Sequence, residues 1–396
     1  MSTSVSPTRI RHLLADLVRI NSVNPTLYGE GASGPGEEGV ADRVENEMRA
    51  IGLEVDRWDA APGRPNVVGV LNGDGTGRSL LLNAHMDTVG VAGMEAPFDP
   101  VIRDGRMYGR GTQDMKASMA AQLEAARVLQ ASDIALGGDL IVAAVSDEEH
   151  TSVGTEALVD RYRPDGAIVT EPTDLQLAIA HKGFVWIDIE THGRAAHGSR
   201  PEEGVDANMH MGRVLSQLDA LNQTLRHPIH PLLGPRSLHA GRLRGGHEPS
   251  VYTSHCHLRM ERRTLPGETP TDVLDEVNTI LDRLRAEESE FRAEAEIAFA
   301  RDPLETPPDA AIADALRHGA ADVLATMPPD IGASFWTDAG LHADAGTETV
   351  VFGPIGEGLH TTSEWVDLDS VANLARILVR TARRYCKDGS GGRNET

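Results

Sequence analysis

The sequence predicts an α/β protein whose mixed, largely parallel sheet carries helices, with a small α+β domain inserted into it. Three observations predict this class. Short apolar runs typical of buried strands alternate with amphipathic helical patterns up to about residue 181. A second order of elements, β-α-β-β-α-β, occupies residues 182–301 and is typical of a ferredoxin-like sandwich. The first pattern resumes near Pro307, so we expect residues 1–181 and 302–396 to form one domain around the insertion.

The first segment opens with two amphipathic helical patterns. Residues 6–20 carry apolar side chains every three or four positions, and Gly52 ends a second such pattern at 37–51. A third helix is predicted at 117–130. The predicted strands, which are apolar runs bounded by turn residues, are 53–57, 66–71, 79–83, 140–145 and 167–169.

The inserted segment has a different hydrophobic pattern. Residues 184–191 and 251–263 alternate apolar and polar side chains, as half-buried strands do. The other predicted elements of the insertion are helices 205–221 and 270–285 and strands 238–243 and 291–300. After the insertion we expect helices 309–325 and 368–385, with a strand at 349–352 between them.

Composition excludes several classes of function. The net charge of −23 argues against nucleic acid as a partner, because phosphates would be repelled. Two cysteines in 396 residues are too few for a disulfide framework or a cysteine-built metal site. No apolar run reaches the ~18 residues that a membrane-spanning helix needs, and residues 1–8 lack a signal-peptide pattern. We therefore expect a cytoplasmic protein without a membrane partner.

A candidate metal ligand set begins at the end of the strand 79–83. His85 and Asp87 are two residues apart, so in an extended chain they share one face. There the carboxylate can orient the imidazole, as carboxylates commonly do for metal-bound histidines. Asp114 opens the next helical pattern and would lie near the same strand end. His-x-Asp alone is a weak indication, because such triplets also occur in solvated turns.

Further acidic and histidine residues follow other strands. Glu148 and Glu149 end the strand 140–145, Glu171 follows the next strand, and His360 follows the strand near residue 350. Ligands of open α/β sheets bind beyond the carboxyl ends of strands, where all these residues would lie. Histidine and carboxylate donors suit zinc or a similar divalent ion. Five ligands exceed the three that one catalytic zinc usually takes from protein, which indicates two metals sharing a carboxylate. Of the adjacent glutamates, one can bind metal while the other faces a bound water.

Seven motifs resemble those of a known enzyme family. They are Asn-Ala-His-Met-Asp at 83–87, Gly-Arg-Gly-Thr-Gln-Asp-Met-Lys at 109–116, Asp-Glu-Glu at 147–149, Thr-Glu-Pro-Thr at 170–173, Ala-Ala-His-Gly-Ser-Arg-Pro at 195–201, Arg-Thr-Leu-Pro-Gly-Glu at 263–268 and Gly-Leu-His-Thr-Thr-Ser-Glu at 358–364. With these motifs the chain resembles the dizinc amidohydrolase and metallopeptidase family of aminoacylase, acetylornithine deacetylase, succinyl-diaminopimelate desuccinylase and carboxypeptidase G. The resemblance implies a zinc-peptidase-like catalytic domain. It also implies that residues 182–301 form a lid through which two chains form a homodimer.

The resemblance also implies roles for the residues of these motifs. The expected metal ligands are His85 and Glu171 on one Zn²⁺, Glu149 and His360 on the other, and Asp114 bridging the two ions. Co²⁺ or Mn²⁺ could replace zinc in such a site. Asp87 would orient His85, and Glu148 would be the general base that activates a metal-bridging water.

Two residues of the lid are expected to act on the substrate. His197 would stabilise the oxyanion and, by the resemblance, reach the other subunit's metals. Arg263 would bind a substrate carboxylate, whereas its neighbour Arg262 is predicted to be solvated. Ser250 and Thr253 stand where the family often has Asn and Pro, so this chain departs from the family pattern in that part of the lid.

The expected activity is hydrolysis of the amide bond of an N-acyl-L-amino acid, as in acetylornithine deacetylase or the desuccinylase. A carboxypeptidase or dipeptidase of the same family is the alternative. An aminopeptidase is less favoured, because such members tend to have Asp where this chain has Glu171. A non-catalytic binding module is a third possibility, against which the intact Glu148 and the full ligand set argue.

Overall fold

The computed structural model describes residues 4–27, 34–91, 93–132 and 135–387. These residues fold into two compact units. The first unit comprises the described residues up to Ile179, Thr306–Ile331 and those from Thr337 onward. The second comprises Ala180–Glu305 and Gly332–Trp336. That the first is catalytic and the second a lid and dimerisation domain stays a prediction.

Within the described residues, the α-helices are α1 (Pro7–Arg19), α2 (Glu38–Ile51), α3 (Ala117–Gln130), α4 (Val153–Arg161), α5 (Ala207–Thr224), α6 (Pro270–Glu287), α7 (Ala311–Leu324), α8 (Ala339–Asp344) and α9 (Leu368–Tyr385). None of the helices in this part of the chain combines the length and the apolar character that a membrane crossing requires. The strands are β1 (Glu54–Ala61), β2 (Arg64–Leu71), β3 (Leu80–His85), β4 (Val101–Arg103), β5 (Arg106–Tyr108), β6 (Leu140–Val145), β7 (Gly166–Val169), β8 (Leu177–His181), β9 (Gly183–His192), β10 (Ser237–Gly245), β11 (His255–Thr264), β12 (Arg292–Arg301), β13 (Leu304–Glu305), β14 (Asp330–Ala333), β15 (Glu348–Val351), β16 (Gly356–Glu357) and β17 (Trp365–Asp367).

The main sheet of the first unit has the strand order β1-β2-β6-β3-β7-β15-β8. Its centre is parallel, because β3 runs parallel to β6 and β7, and β15 runs parallel to β7. The outer pairs β1–β2, β2–β6 and β15–β8 are antiparallel. The predicted fold class, a mixed and largely parallel sheet with helices, is therefore confirmed.

The central strands are apolar throughout because both of their faces are covered. Leu80 and Leu82 pack with residues of α1, α2, α3 and α9 in one core cluster. Leu81 points the other way, as alternation requires, and packs with Leu158 of α4 in a second cluster. Each of these leucines is at most 1% exposed, and burying one contributes roughly 1.5–3 kcal/mol. This packing fixes the strand ends from which the site is built.

A small four-stranded sheet, β16-β17-β5-β4, also belongs to the first unit. Strand β17 pairs with β5, with Trp365 opposite Tyr108. The loop that follows β5 carries Asp114, and the loop between β16 and β17 carries His360. The sheet thus brings these two loops side by side. Its strands are only two or three residues long, and sequence periodicity did not predict them.

The second unit is an antiparallel sheet, β10-β11-β9-β12, with α5 and α6 packed on one face. Val185, Ile187 and Ile189 of β9 are buried against these helices. The residues between them point to the other face, which the two helices leave uncovered. The element order agrees with the predicted β-α-β-β-α-β pattern.

Candidate metal centre

Three parallel strands of the first unit end at one edge of the sheet. In register, His85 of β3 lies opposite Val145 of β6, and Asn83 lies opposite Val169 of β7. The residues that follow these strands therefore meet. The structure brings together the predicted site residues of this unit, which are His85, Asp87, Asp114, Glu148, Glu149, Glu171 and His360.

The imidazole of His85 is buried, and its orientation is fixed by the chain. Its Nδ1 lies 2.9 Å from the carbonyl oxygen of Asp87. A carbonyl can only accept, so in that hydrogen bond Nδ1 carries the proton and Nε2 of the neutral ring keeps a lone pair. Nε2 lies 2.9 Å from Asp114 Oδ1, 3.5 Å from Glu171 Oε1 and 3.9 Å from Glu148 Oε2. A lone pair thus faces several carboxylate oxygens.

The carboxylate of Asp87 lies beside His85 and also binds the backbone that follows β6. Its Oδ1 is 3.6 Å from His85 Nδ1, so the Asp87 carbonyl is the nearer acceptor. The two carboxylate oxygens accept hydrogen bonds from the backbone N–H groups of Glu148 and Glu149, both at 3.2 Å, and from Asn24 Nδ2 at 2.8 Å. Asp87 therefore ties the end of β3 to the segment that follows β6.

Asp114 lies between the two histidines. Its Oδ1 is 2.9 Å from His85 Nε2, and its Oδ2 is 3.3 Å from His360 Nε2. The same His360 nitrogen is 3.2 Å from Glu149 Oε2. One carboxylate thus presents one oxygen to each imidazole, with Glu171 on the His85 side and Glu149 on the His360 side.

The backbone that carries Asp114 is held by Glu364, a residue with no predicted role. Glu364 Oε1 accepts from the N–H groups of Gln113 at 2.8 Å and Asp114 at 3.2 Å. Oε2 accepts from Gly111 N at 3.0 Å and from Arg110 Nη1 at 2.6 Å. The only signal in the sequence was that Glu364 ends the motif that contains His360.

Two other polar residues beside the cluster were also missed. Asn24 binds both Asp87 and, at 2.9 Å, Asp147 Oδ1. Asp338 is 1% exposed and accepts a 2.6 Å hydrogen bond from Thr155. Both residues lie far from the cluster in sequence and follow no strand pattern, so only the tertiary structure reveals them.

The electrostatics of the cluster reflect an excess of buried negative charge. Burial, and then the charge of Glu171, raises the pKa of Glu148 well above its usual range. Burial and the charge of Asp114 do the same for the pKa of Glu171, and they raise the pKa of Glu149 to about 7. Hydrogen bonds to Asp114 and Glu149 raise the pKa of His360 to about 10. Bound cations would remove this mutual repulsion.

The donor atoms of the cluster fit divalent metal. The ligand atoms of His85, Asp114 and Glu149 lie within 4.8 Å of one another, and so do those of His85, Glu148 and Glu171. Glu149 Oε1 is buried without a hydrogen-bond partner among the described residues, which is costly unless a cation satisfies it. Two imidazoles with several carboxylates are the donors that zinc takes in proteins. Candidate metal-binding residues are therefore present where the strand ends meet.

His197 and Arg263, the two predicted substrate residues, lie in the second unit. His197 is exposed in the segment between β9 and α5, with its Nδ1 2.8 Å from Ser199 Oγ. Arg263, near the end of β11, donates from Nε to Glu261 Oε1 at 2.7 Å. Its guanidinium lies 5.4 Å from the centre of the Phe184 ring. Their roles toward a substrate stay predictions.

The prediction that Arg262 is solvated was wrong. Alternation along β11 places it on the face that packs against the helices, where it is fully buried. Its charge is balanced by Glu268 Oε1 at 2.8 Å and by Glu276 Oε2 of α6 at 3.6 Å. Alternation places Arg262 and Arg263 on opposite faces of the sheet. It does not reveal that the arginine on the face covered by the helices is buried and paired with carboxylates.

Comparison with known proteins decides the family. The profile of peptidase family M20/M25/M40 matches residues 81–384, which is more than half of the chain. The chain belongs to this family. As an M20 member it is a metallohydrolase, and the sequence resemblance described above is confirmed at this level.

Individual relatives extend the match to most of the chain. The acetylornithine deacetylase of Myxococcus xanthus is 30% identical over 367 residues, covering 89% of this chain and 92% of the relative. The N-formyl-4-amino-5-aminomethyl-2-methylpyrimidine deformylase of Bacillus subtilis (strain 168) is 27% identical, covering 88% and 89%. Among solved structures, the YXEP protein of Bacillus subtilis, a dinuclear metal binding peptidase of the M20 family, shares the fold. Its TM-score is 0.74 at 14% identity, covering 96% of this chain and 99% of that one.

Proposed function

We propose that this M20 hydrolase cleaves the amide bond of N-acyl-L-amino acids that have a free carboxylate, using two divalent ions, most simply Zn²⁺. The observation that carries the proposal is the placement of Asp114, whose two oxygens each face one histidine. A bridging carboxylate between two histidine-containing subsites is what a dinuclear centre needs.

The five ligands divide between two subsites. His85 and Glu171 belong to one and His360 and Glu149 to the other, with Asp114 shared. When bound, the ions would polarise the scissile carbonyl as Lewis acids and lower the pKa of a bound water. The YXEP protein, which shares the fold, is described as a dinuclear metal binding peptidase, and this supports two ions here.

Glu148 is suited to be the general base. Its nearest histidine nitrogen, His85 Nε2, is 3.9 Å away, whereas His360 contacts the neighbouring Glu149. Its backbone N–H donates a hydrogen bond to Asp87, which fixes the position of the backbone from which the Glu148 side chain extends. In the reaction Glu148 takes a proton from the attacking water and donates it to the leaving amine, which makes the amine a viable leaving group.

The substrate class rests on relatives and on charge. The two curated relatives above are a deacetylase of acetylornithine and a deformylase, and both names describe removal of an acyl group from nitrogen. We assign Arg263 to the substrate carboxylate, because a guanidinium can bind a carboxylate through two hydrogen bonds. We assign His197 to the oxyanion, acting from the second chain of a homodimer.

A substrate panel with controlled metal content tests the proposal. The protein is stripped with a chelator, reloaded with Zn²⁺, Co²⁺ or Mn²⁺, and assayed on N-acetyl-L-ornithine, other N-acetyl, N-formyl and N-succinyl amino acids, and dipeptides. We expect no turnover after stripping, restoration by metal, and preference for N-acyl amino acids. Preference for dipeptides would replace the deacylase with a peptidase of the same family. Full activity without metal would refute the dinuclear mechanism, and no activity with any metal would indicate a binding module.

A further inference from the structure

The uncovered face of the second unit carries a regular group of histidines and glutamates. Strands β9 and β11 pair in antiparallel register, with His192 opposite His255 and Glu190 opposite His257. Residues two apart on a strand point to the same side, so these four side chains occupy the corners of one square. Glu294 of β12 lies opposite Glu190 on the other flank. Glu-x-His on one strand thus faces His-x-His on the next.

The side-chain atoms of this group converge. His255 Nε2 lies 3.0 Å from Glu190 Oε2, and the His192 and His255 ring centres are 5.6 Å apart. His192 Nε2 lies 3.2 Å from Glu294 Oε1. Ligand atoms of Glu190, His192 and His255 can be chosen so that all lie within 4.8 Å of one another. In a tetrahedral zinc site, bonds of about 2.0–2.2 Å put ligand atoms roughly 3.3–3.6 Å apart, so small side-chain rotations would close the site.

His257, the fourth corner, is held by other contacts. Its Nε2 lies 3.1 Å from Asp188 Oδ1. Asp188 is in turn held by Arg259 through hydrogen bonds of 2.8 and 2.6 Å. Because the positive charge of Arg259 is close to Asp188 and His257, a metal ion is not favoured at that corner of the square. The remaining donors are two imidazoles and one carboxylate, a set that zinc sites in proteins use.

We propose that Glu190, His192 and His255 form a second metal site, separate from the cluster around Asp114. It binds a divalent transition-metal ion such as Zn²⁺, with Glu294 or water as the fourth ligand. Imidazole nitrogens favour zinc, copper and nickel over magnesium and calcium. The histidine side chains are 41% and 48% exposed, so an ion from solvent can reach them. The ion binds the unprotonated nitrogen of each neutral imidazole, so a proton is released only where an imidazolium must first lose it. The strands that carry these ligands are already paired through β9.

The bound ion would link neighbouring strands of the second unit. It ties β9 to β11, and through Glu294 to β12, and so stabilises the sheet by binding only its folded form. All of its ligands belong to the second unit, and none is shared with the cluster around Asp114. The site can therefore be filled or removed without changing the residues proposed for hydrolysis.

Zinc stoichiometry measured by equilibrium dialysis and elemental analysis tests this site on the full-length protein. Four proteins are compared: wild type, His192→Ala/His255→Ala, His239→Ala and His85→Ala/His360→Ala. His239 is exposed on β10 and lies opposite Glu261, so it is a matched control on the same sheet. We expect His192→Ala/His255→Ala to hold one zinc fewer than wild type while retaining hydrolytic activity. His239→Ala should hold as much zinc as wild type, and His85→Ala/His360→Ala should keep the ion of the second unit.

A spectroscopic measurement identifies the ligands. In His85→Ala/His360→Ala loaded with Cu²⁺, electron paramagnetic resonance should show coupling to two imidazole nitrogens. Adding His192→Ala/His255→Ala to that background should remove this signal. Equal zinc content in wild type and His192→Ala/His255→Ala, or an unchanged copper spectrum, would overturn the proposal.

Discussion

Replacing Glu364 with glutamine should destabilise the loop that carries Asp114. The carboxylate is 1% exposed, and each of its oxygens accepts two hydrogen bonds. A glutamine amide has one acceptor end and one donor end. Whichever end the NH₂ group takes, two N–H donors will face it, and Arg110, itself 3% exposed, loses its counter-charge.

The size of the effect follows from the burial of this pair. Breaking a buried ion pair by removing one partner typically costs about 3–5 kcal/mol, because the other charge stays buried without compensation. At 1.4 kcal/mol per factor of ten, the population in which the loop is open should rise roughly 100- to 4,000-fold. Metal binding should weaken as well, because the backbone N–H of Asp114 loses a hydrogen-bond acceptor.

Hydrogen exchange of the amides at 111–114 and zinc affinity are the measurements. Glu364→Gln is compared with Glu357→Gln, which changes an exposed glutamate in the neighbouring strand β16. We expect faster exchange and weaker zinc binding in Glu364→Gln alone. If both variants exchange and bind zinc as wild type does, Glu364 does not hold this loop and the reasoning fails.

Three further predictions concern the proposed reaction. Glu148→Gln should lower kcat by roughly 10²–10⁴-fold with metal content unchanged. The control variant Glu156→Gln, on the exposed side of α4, should have the kcat of wild type. Loss of metal from Glu148→Gln would mean that Glu148 is a ligand. Arg263→Ala should raise KM for substrates with a free carboxylate, and equal sensitivity of the corresponding amides would reject its role. In a homodimer with composite sites, mixing inactive His197→Ala and Glu148→Ala chains should restore activity towards half that of wild type per heterodimer. A mixture that exchanges subunits and stays inactive would show that His197 does not act across the dimer.

The strand-end ligands could be predicted from the sequence because each follows an apolar run. A strand such as Leu140–Val145 is recognisable by composition, and parallel strands end at a common edge, so the convergence of His85, Glu149 and Glu171 followed from topology. His360 gained its assignment from the motif resemblance. The longer helices were predicted for a similar reason, since helical periodicity survives without knowledge of the partner surface. The short helices α4 and α8 were not predicted.

Contacts made by short or irregular segments could not be predicted in this way. The strands β5 and β17 have three residues each and exist because they pair with each other. The hydrogen bonds that Asn24 and Glu364 make to the site form only when segments far apart in sequence are brought together by the fold. Arg262 was misassigned because a buried arginine depends on carboxylates from α6 and the turn before it, which periodicity does not reveal.

Asp87 has a consequence for any attempt to redesign this centre. Its single carboxylate receives the backbone N–H groups of both Glu148 and Glu149. The positions of the proposed base and the proposed ligand are therefore coupled, since a change at Asp87 affects the backbone anchor of both. An engineer could not retune one by substituting Asp87 without disturbing the other. A neighbour that contacts one of the two side chains, such as His360, whose Nε2 lies 3.2 Å from Glu149 Oε2, offers a more selective point of change.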